Sequence, residues 1–288
     1  MKDLNYQLKR LCRQNKDGSY STQANRSRML DQMAHQLHEL GYRRMGAQSI
    51  KPKHISALTD LWKEQGLSIG SQKNRLSALR WWAGKVGKGH IIARDNAEYG
   101  IETRSAIPAE SKAQTLTPSQ INGVDDPYIR LSLRLQQEFG LRREEAIKFR
   151  PSYATQKEAI ELKASWTKGG RSRTIPILTE RQRVLLSDIE QLVGSGALIP
   201  PNLNYVEQLR KYERHTNNAE LKNLHGLRHG YAQRRYEQLT GWKCPAAGGP
   251  DRHQLTREAK HLDRKARLTI SSELGHAREQ ISATYLGR

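Results

Sequence analysis

Cysteine is nearly absent: Cys12 and Cys244 are the only two among 288 residues. Two thiols make no disulfide framework, which points to a reducing cytoplasm. No apolar run is long enough to cross a bilayer, and no signal-type hydrophobic stretch follows Met1. Internal repeats and low-complexity tracts are also missing. Acidic residues are scarce, 29 Asp and Glu against 49 Lys and Arg, for a formal net charge of +20. Solubility alone rarely calls for so one-sided an excess. Spread along the whole chain, it points to a polyanionic partner, with nucleic acid ahead of an anionic membrane surface. Hydrophobic content of 36% is modest but sufficient for two small cores, and the length suits two domains.

From Met1 to about Arg104 the apolar spacing is helical. A short helix is expected around Leu4 to Leu11. Ser21 or Thr22 would cap a second, in which Leu30, Met33, Leu37 and Leu40 share a face and Gly41 closes the end. Ile55, Leu58 and Trp62 mark a third, and Leu76, Leu79, Ala83 and Val86 a fourth. On or beside these helices lie Lys51, Lys53, His54, Lys73, Asn74, Arg75 and Arg80. On a basic helical domain they are candidates for phosphate contacts, although each would serve equally as part of a solvated face.

Residues 105–116 have linker composition, small and polar with Pro108. Thr117-Pro118-Ser119-Gln120 then reads as a capping box opening a second domain over residues 117–288. Leu131, Leu135 and Phe139 mark a buried helix. Gly140-Leu141-Arg142 follows, with Glu145 at the head of the next helix. Ile160, Leu162, Ala164 and Trp166 alternate as a strand would. Lys168-Gly169-Gly170-Arg171 is a turn, and Thr174 to Leu178 returns as a second strand. Further helices are expected around Val184 to Val193, from Val206, over Leu224 to Leu239, and over His253 to Ser272. Gly241 to Pro250 is a loop. Leu274-Gly275-His276 precedes a short helix, Ala277 to Tyr285, with Ile281 and Tyr285 on one face.

Four pieces thus stand in order: Gly140-Leu141-Arg142 with Glu145; a strand, a Lys168 turn and a strand; His225-Gly226-Leu227-Arg228; and Leu274-Gly275-His276 with Tyr285 beyond. Each alone is a common pattern. Their joint order and spacing over Thr117 to Tyr285 resemble the tyrosine recombinase (phage integrase) family. The first domain is similar to that family's core-binding, SAM-like domain in position, helicity and charge.

The resemblance implies a mainly α, two-domain DNA clamp with a small antiparallel sheet, acting as a site-specific recombinase without metal or other cofactor. It implies that Tyr285 attacks the scissile phosphate, a role suited to a phenol of pKa ~10 that later leaves as readily as it attacked. Arg142 and Arg228 would hold the non-bridging oxygens. Lys168 would protonate the leaving 5′-oxygen, and His225, three before Arg228, would move a proton to or from Tyr285. His276 would bond the phosphate, and Glu145 would orient the site. Arg171 and Arg173, on the basic turn, join the DNA-contact candidates. Implied partners are duplex attachment sites, a homotetramer assembled on DNA from monomers, and accessory bending or directionality factors. A cytoplasmic, nucleoid-associated location in a bacterium or phage goes with them.

Alternatives stay open among the residues. Arg143 competes with Arg142, and Glu145 would also pair with Lys148 on its own helix. His229 is expected to be packing or surface. Cys244, His253 and His261 lack the close pairing of zinc ligands. Type IB topoisomerases and telomere resolvases use the same chemistry, and a non-catalytic DNA-binding regulator would need less of it. Two departures stand out. The gap from Arg228 to His276 is roughly double the family's usual one, implying a basic insertion over residues 241–269. Only Leu286, Gly287 and Arg288 follow Tyr285, so either the insertion or the Tyr285 helix is expected to dock onto a neighbouring subunit, or the basic insertion makes an extra DNA contact.

Overall fold

A computed structural model describes residues 3–103, 107, 110–167, 169–276 and 282–288. The chain divides into two compact units, Met1–Ser105 and Ala106–Arg288. The described residues are mainly helical, with one two-stranded antiparallel sheet.

The first unit is four helices, α1 (Asp3–Gln14), α2 (Tyr20–Glu39), α3 (Pro52–Glu64) and α4 (Ile69–Lys85). The helical periodicity predicted its core: Leu30, Met33 and Leu37 of α2, Ile55, Leu58 and Trp62 of α3, and Leu76, Leu79 and Ala83 of α4 are all buried. Two indoles fix the register as well as filling space. Trp62 Nε1 donates to Gln36 Oε1 at 3.1 Å and Trp82 Nε1 to the Ala47 carbonyl at 2.9 Å, which satisfies both polar atoms in the core. The cap of α2 is Ser19, not Ser21 or Thr22. Gly18, at φ 83°, turns the chain just ahead of it. Leu40 lies past the last turn of α2 and is exposed.

The second unit begins with a strap laid along a later helix. The Gln114 amide donates to the Gly226 carbonyl at 2.9 Å, and buried Leu116 donates its amide to Gln137 Oε1 at 2.8 Å. Two glycines permit this close approach. A Cβ on Gly226 would stand 2.6 Å from the Lys112 carbonyl, and one on Gly230 2.5 Å from that of Gln114. The end of the 105–116 segment is therefore packed against the second unit. Thr117 and Gln120 form the expected capping box of α5 (Pro118–Asn122).

The central helix α6 (Pro127–Phe139) is buried on two sides. Leu131, Leu135 and Phe139 face one apolar cluster, and Ile129 and Leu133 face another. Short helices α7 (Arg143–Ile147) and α8 (Pro151–Ala154) lead to β1 (Ala159–Leu162) and β2 (Arg173–Pro176), paired antiparallel with Ala159 opposite Pro176 and Leu162 opposite Arg173. The first strand is shorter than its alternation suggested. Ala164–Trp166 is a 3-10 turn, and Trp166 leaves the strand to pack beside the Phe149 and Tyr153 rings. Lys168 and residues 277–281, Ile281 among them, lie outside the described residues.

The remaining helices are α9 (Glu180–Val193), α10 (Tyr205–Asn218), α11 (Gly226–Thr240), α12 (Arg257–Glu273) and α13 (Ala283–Leu286). The Gly241–Pro250 loop folds inward. Cys244 is fully buried in the main cluster, and Pro245 and Ala246 lie against Gly287 so closely that a Cβ there would reach 2.8 Å from the Ala246 amide nitrogen. Arg267 of α12, paired with Asp263, donates to the Gly287 carbonyl at 2.8 Å. The inserted segment thus seats α13 from within the same chain.

At the end of α10 the Glu220 amide donates to the Asn217 carbonyl and the Leu221 amide to that of Thr216, both at 2.9 Å. This is the hydrogen-bond pair of a Schellman cap. Its left-handed residue is Glu220, exposed and at φ 56°, where a side chain is strained and glycine is not. Glu220→Gly should therefore stabilise the second unit by about 1 kcal/mol. The check is a higher urea midpoint with an unchanged slope.

Candidate active site

Arg228, in the first turn of α11, is the centre of the site and is 1% exposed. Its guanidinium donates to the carbonyls of Gly140, at 2.5 Å, and Leu274. Its Nε lies 3.3 Å from Tyr285 Oη. Gly140 must be glycine: its φ is 63°, and a Cβ would meet the Tyr231 ring at 2.5 Å. One buried cation thereby ties the ends of α6 and α12 to the tyrosine of α13. Burial pulls its pKa down to about 10.

Tyr285 Oη also lies 3.3 Å from His276 Nε2, which is itself 3.4 Å from Arg228 Nη2. Tyr285 is 5% exposed. Its ring stands against three imidazoles, with centroids 6.2 Å from His225, 4.6 Å from His229 and 5.8 Å from His276. All three histidines have lowered pKa values. His276 is pulled down to about 4 by desolvation and by Arg228, Arg142 and Arg173. His229 is pulled down to about 4 by desolvation, then by His225, Lys112 and Arg228. For His225, exposed on its outer side, loss of hydration on the inner side and Arg228 and Arg142 act the same way. Near neutral pH all three are proton acceptors.

Glu145 is fully buried and its carboxylate is shared. It accepts from the Arg142 amide at 2.7 Å, Arg142 Nη1 at 2.9 Å, and Arg173 Nη1 and Nη2 at 2.9 and 2.6 Å. Burial pushes its pKa up, but the hydrogen bonds and charge of Arg173 outweigh that and hold it at about 2. The alternatives near Arg142 resolve by geometry. Arg143 points to Glu213 and lies over the Tyr212 ring, and Lys148 pairs with Glu144.

The structure therefore brings together Arg142, Glu145, His225, Arg228, His276 and Tyr285. Of the DNA-contact candidates, Lys51, Lys53, Asn74 and Arg171 are exposed and Lys73 is half-buried. Lys51 and Lys53 line one groove with Arg43 and Arg44. Three others are engaged within the protein. Arg75 lies over the Trp62 ring and donates to Gln32, and Arg80 donates to the carbonyls of Ala93 and Arg94. Arg173 is buried on Glu145, because its strand faces the core at that register. His54 is also buried, with Nδ1 accepting the Lys51 amide at the head of α3. His229, expected as packing or surface, is buried and packs its ring against Tyr285. Its place one helical turn after His225 was the available signal, since i and i+4 share a face.

Residues 1–89 match the family model described as Phage integrase, N-terminal, and residues 99–234 match the one described as Integrase. Together these span most of the chain, and the chain belongs to the tyrosine recombinase (phage integrase) family. Its activity is that of a tyrosine-type site-specific DNA recombinase. Among curated proteins none matches the chain. Among solved structures it is similar to a lambda integrase dimer bound to a COC′ core site, at 18% identity and a TM-score of 0.61, covering 99% of this chain and 96% of that one. It is also similar to XerH bound to difH substrate in a pre-cleavage complex, at 18% identity and 0.57, covering 98% and 80%. A third is the Tn1549 transposon integrase with circular intermediate DNA, at 13% identity and 0.58, covering 100% and 96%. These likenesses establish the shared fold.

The lowered histidines set a pH dependence for the DNA-free protein. Each binds a proton more readily unfolded, near pH ~6.5, than folded. Their contribution is present above that value and is lost as pH falls through the folded values, about 4 for His229 and His276. The melting temperature should fall over this window, and His229→Phe should fall less steeply than the native protein. Parallel curves for the two would show that His229 does not titrate as stated.

Proposed function

We propose that Tyr285 Oη attacks the scissile phosphodiester of a DNA attachment site. A 3′-phosphotyrosine bond forms as the bond to the 5′-oxygen breaks, and a partner strand's 5′-hydroxyl later reverses the step. The observation that carries this reading is the placing of Tyr285 Oη 3.3 Å from both Arg228 Nε and His276 Nε2. A phenol there is oriented by a neutral imidazole, which also reaches the phosphate, while a fixed guanidinium meets the charge that develops on phosphate. Arg142, its side chain 20% exposed, is the second cation, and Glu145 orients it. His225, beside the Tyr285 ring, exchanges the nucleophile's proton. Lys168 protonates the leaving 5′-oxygen, a role carried by its place in the motif.

Strand exchange between two duplexes needs four such sites, so the working form is a tetramer on a Holliday junction, built from monomers on DNA. One similar structure is a lambda integrase tetramer bound to a Holliday junction. Exchange of this kind suits integration or excision of a mobile element, in a nucleoid-associated setting where accessory bending factors act. Both units contribute DNA contacts. In the first, the groove with Arg43, Arg44, Lys51 and Lys53 holds backbone phosphates; in the second, Arg171 on the hairpin turn does so.

A library of nicked duplexes of randomised sequence tests the chemistry. The native protein should trap a subset covalently, and those sequences report its site. Tyr285→Phe should bind the selected duplex and form no adduct. An adduct in that variant, mapped to Tyr231 or Tyr236, would overturn the assignment.

The groove is tested by salt. Replacing Lys51 and Lys53 together by alanine should weaken binding evenly across sequences and lower the slope of log affinity against log salt by about 2. An unchanged slope would remove the groove from the DNA interface.

A further inference from the structure

We propose that Arg173 is a positioning residue whose work is to keep the charge of Arg142 available to the scissile phosphate. The inference rests on the reading of Arg142 as a phosphate ligand. It begins from how one carboxylate is divided. Arg173 forks onto both oxygens of Glu145, at 2.9 and 2.6 Å, and is buried. Arg142 reaches the same carboxylate with a single guanidinium nitrogen, Nη1, at 2.9 Å. Among the described residues no other acceptor is recorded for the rest of that guanidinium.

The charge arithmetic follows. Glu145 and Arg142 alone would form a neutral pair, and its carboxylate would repel an incoming phosphate. With Arg173 the same group carries one net positive charge. The carboxylate is answered by the inner guanidinium, so the outer one is oriented by Glu145 without being quenched by it. A bidentate fork is needed, because it occupies both oxygens in the plane where Arg142 would otherwise turn.

The second contact of Arg173 extends its reach. Its Nε donates to the Glu273 carbonyl at 2.8 Å. Its chain lies flat on Gly275, where φ is 68° and a Cβ would come to 3.0 Å from Arg173 Cδ and Nη1. His276 is the next residue. Arg173 therefore sets the corner that presents His276 to Tyr285, and it does so from the strand that leaves the Lys168 turn.

The test is single-turnover cleavage of the duplex selected by the native protein, with saturating and half-saturating DNA measured separately. Arg173→Met should lower the maximal rate by about 100-fold or more while half-saturation moves by less than about threefold. Glu145→Gln added to Arg173→Met should recover at least about tenfold, because the amide still accepts from Arg142 but carries no charge. Arg173→Lys, which keeps charge without the fork, should fall between. A merely structural Arg173 predicts the opposite pattern: the double variant no faster than the single, with rates tracking melting temperature across the set. That result, or an unchanged maximal rate in Arg173→Met, would overturn the proposal. If Arg173→Met does not fold, Arg173→Lys with and without Glu145→Gln carries the same comparison. Arg142→Ala is the separate control. Native-like cleavage there would remove the phosphate-ligand reading itself, whatever Arg173 does.

Discussion

The site is organised around positive charge that the protein itself leaves only partly answered. Arg228 is buried against carbonyl oxygens and a phenol, without a carboxylate at salt-bridge distance among the described residues. Three guanidiniums, Arg142, Arg173 and Arg228, surround the single carboxylate of Glu145. Such a cluster is costly to bury, and its cost is visible in the lowered pKa values of Arg228, His276 and His229. The framework that tolerates it is rigid and covalently close: Gly140, which only glycine can fill, and the Leu274 carbonyl at the end of α12. A phosphate arriving there meets dipoles and cations already in place, so little reorganisation is left for the reaction itself.

That arrangement explains why a neutral histidine set and a phenol belong together. Burial first, and then neighbouring positive charge that includes Arg228, disfavours an imidazolium at His225, His229 and His276, so the histidines remain bases. A phosphate diester brought beside Arg228 and Arg142 would supply negative charge that offsets this and raise the proton affinity of the imidazoles. Proton affinity in the site is coupled to occupancy by DNA through ordinary electrostatics, with no change of fold required.

Much of this was legible in the sequence because the informative patterns are local. A capping box needs four residues, an amphipathic helix a few turns, and His225 with Arg228 one turn of α11. The order of the four motif pieces then pointed to Arg142, Glu145, His225, Arg228, His276 and Tyr285, which the fold brings together. What escaped reading depends on partners distant along the chain. Arg173 looks like another cation on a basic turn, and only the register opposite Leu162 sends it inward to Glu145. Arg75 and Arg80 look like surface charge until Trp62 and the Ala93 carbonyl are placed beside them. Ala164 and Trp166 continue an alternation that the backbone abandons, because the Trp166 ring packs better between Phe149 and Tyr153 than on a longer strand. The polar strap before Thr117 has linker composition, and its packing is written in two glycines more than a hundred residues later.

The insertion before the tyrosine has a physical role that its basic composition conceals. Its loop buries Cys244 in the core and places Pro245 and Ala246 under Gly287, while α12 contributes the Asp263–Arg267 pair. That pair is nearly dry and is shared with two further groups: Tyr236 donates its hydroxyl to Asp263 at 2.6 Å, and Arg267 donates to the Gly287 carbonyl. A buried ion pair adds little net stability but strongly penalises any arrangement that separates it from its partners. Through the Gly287 carbonyl, two residues after Tyr285, it fixes where the Tyr285 segment ends and so how far Tyr285 Oη reaches toward Arg228. The inserted segment packs on its own chain through Cys244, Pro245 and Ala246, while Leu262 and Leu268 on the outer side of α12 stay exposed. Any exchange of the Tyr285 segment between subunits would first have to strip the Gly287 carbonyl from Arg267 and expose the floor made by Pro245 and Ala246. The packing that sets the position of Tyr285 Oη is therefore also the packing that resists moving it.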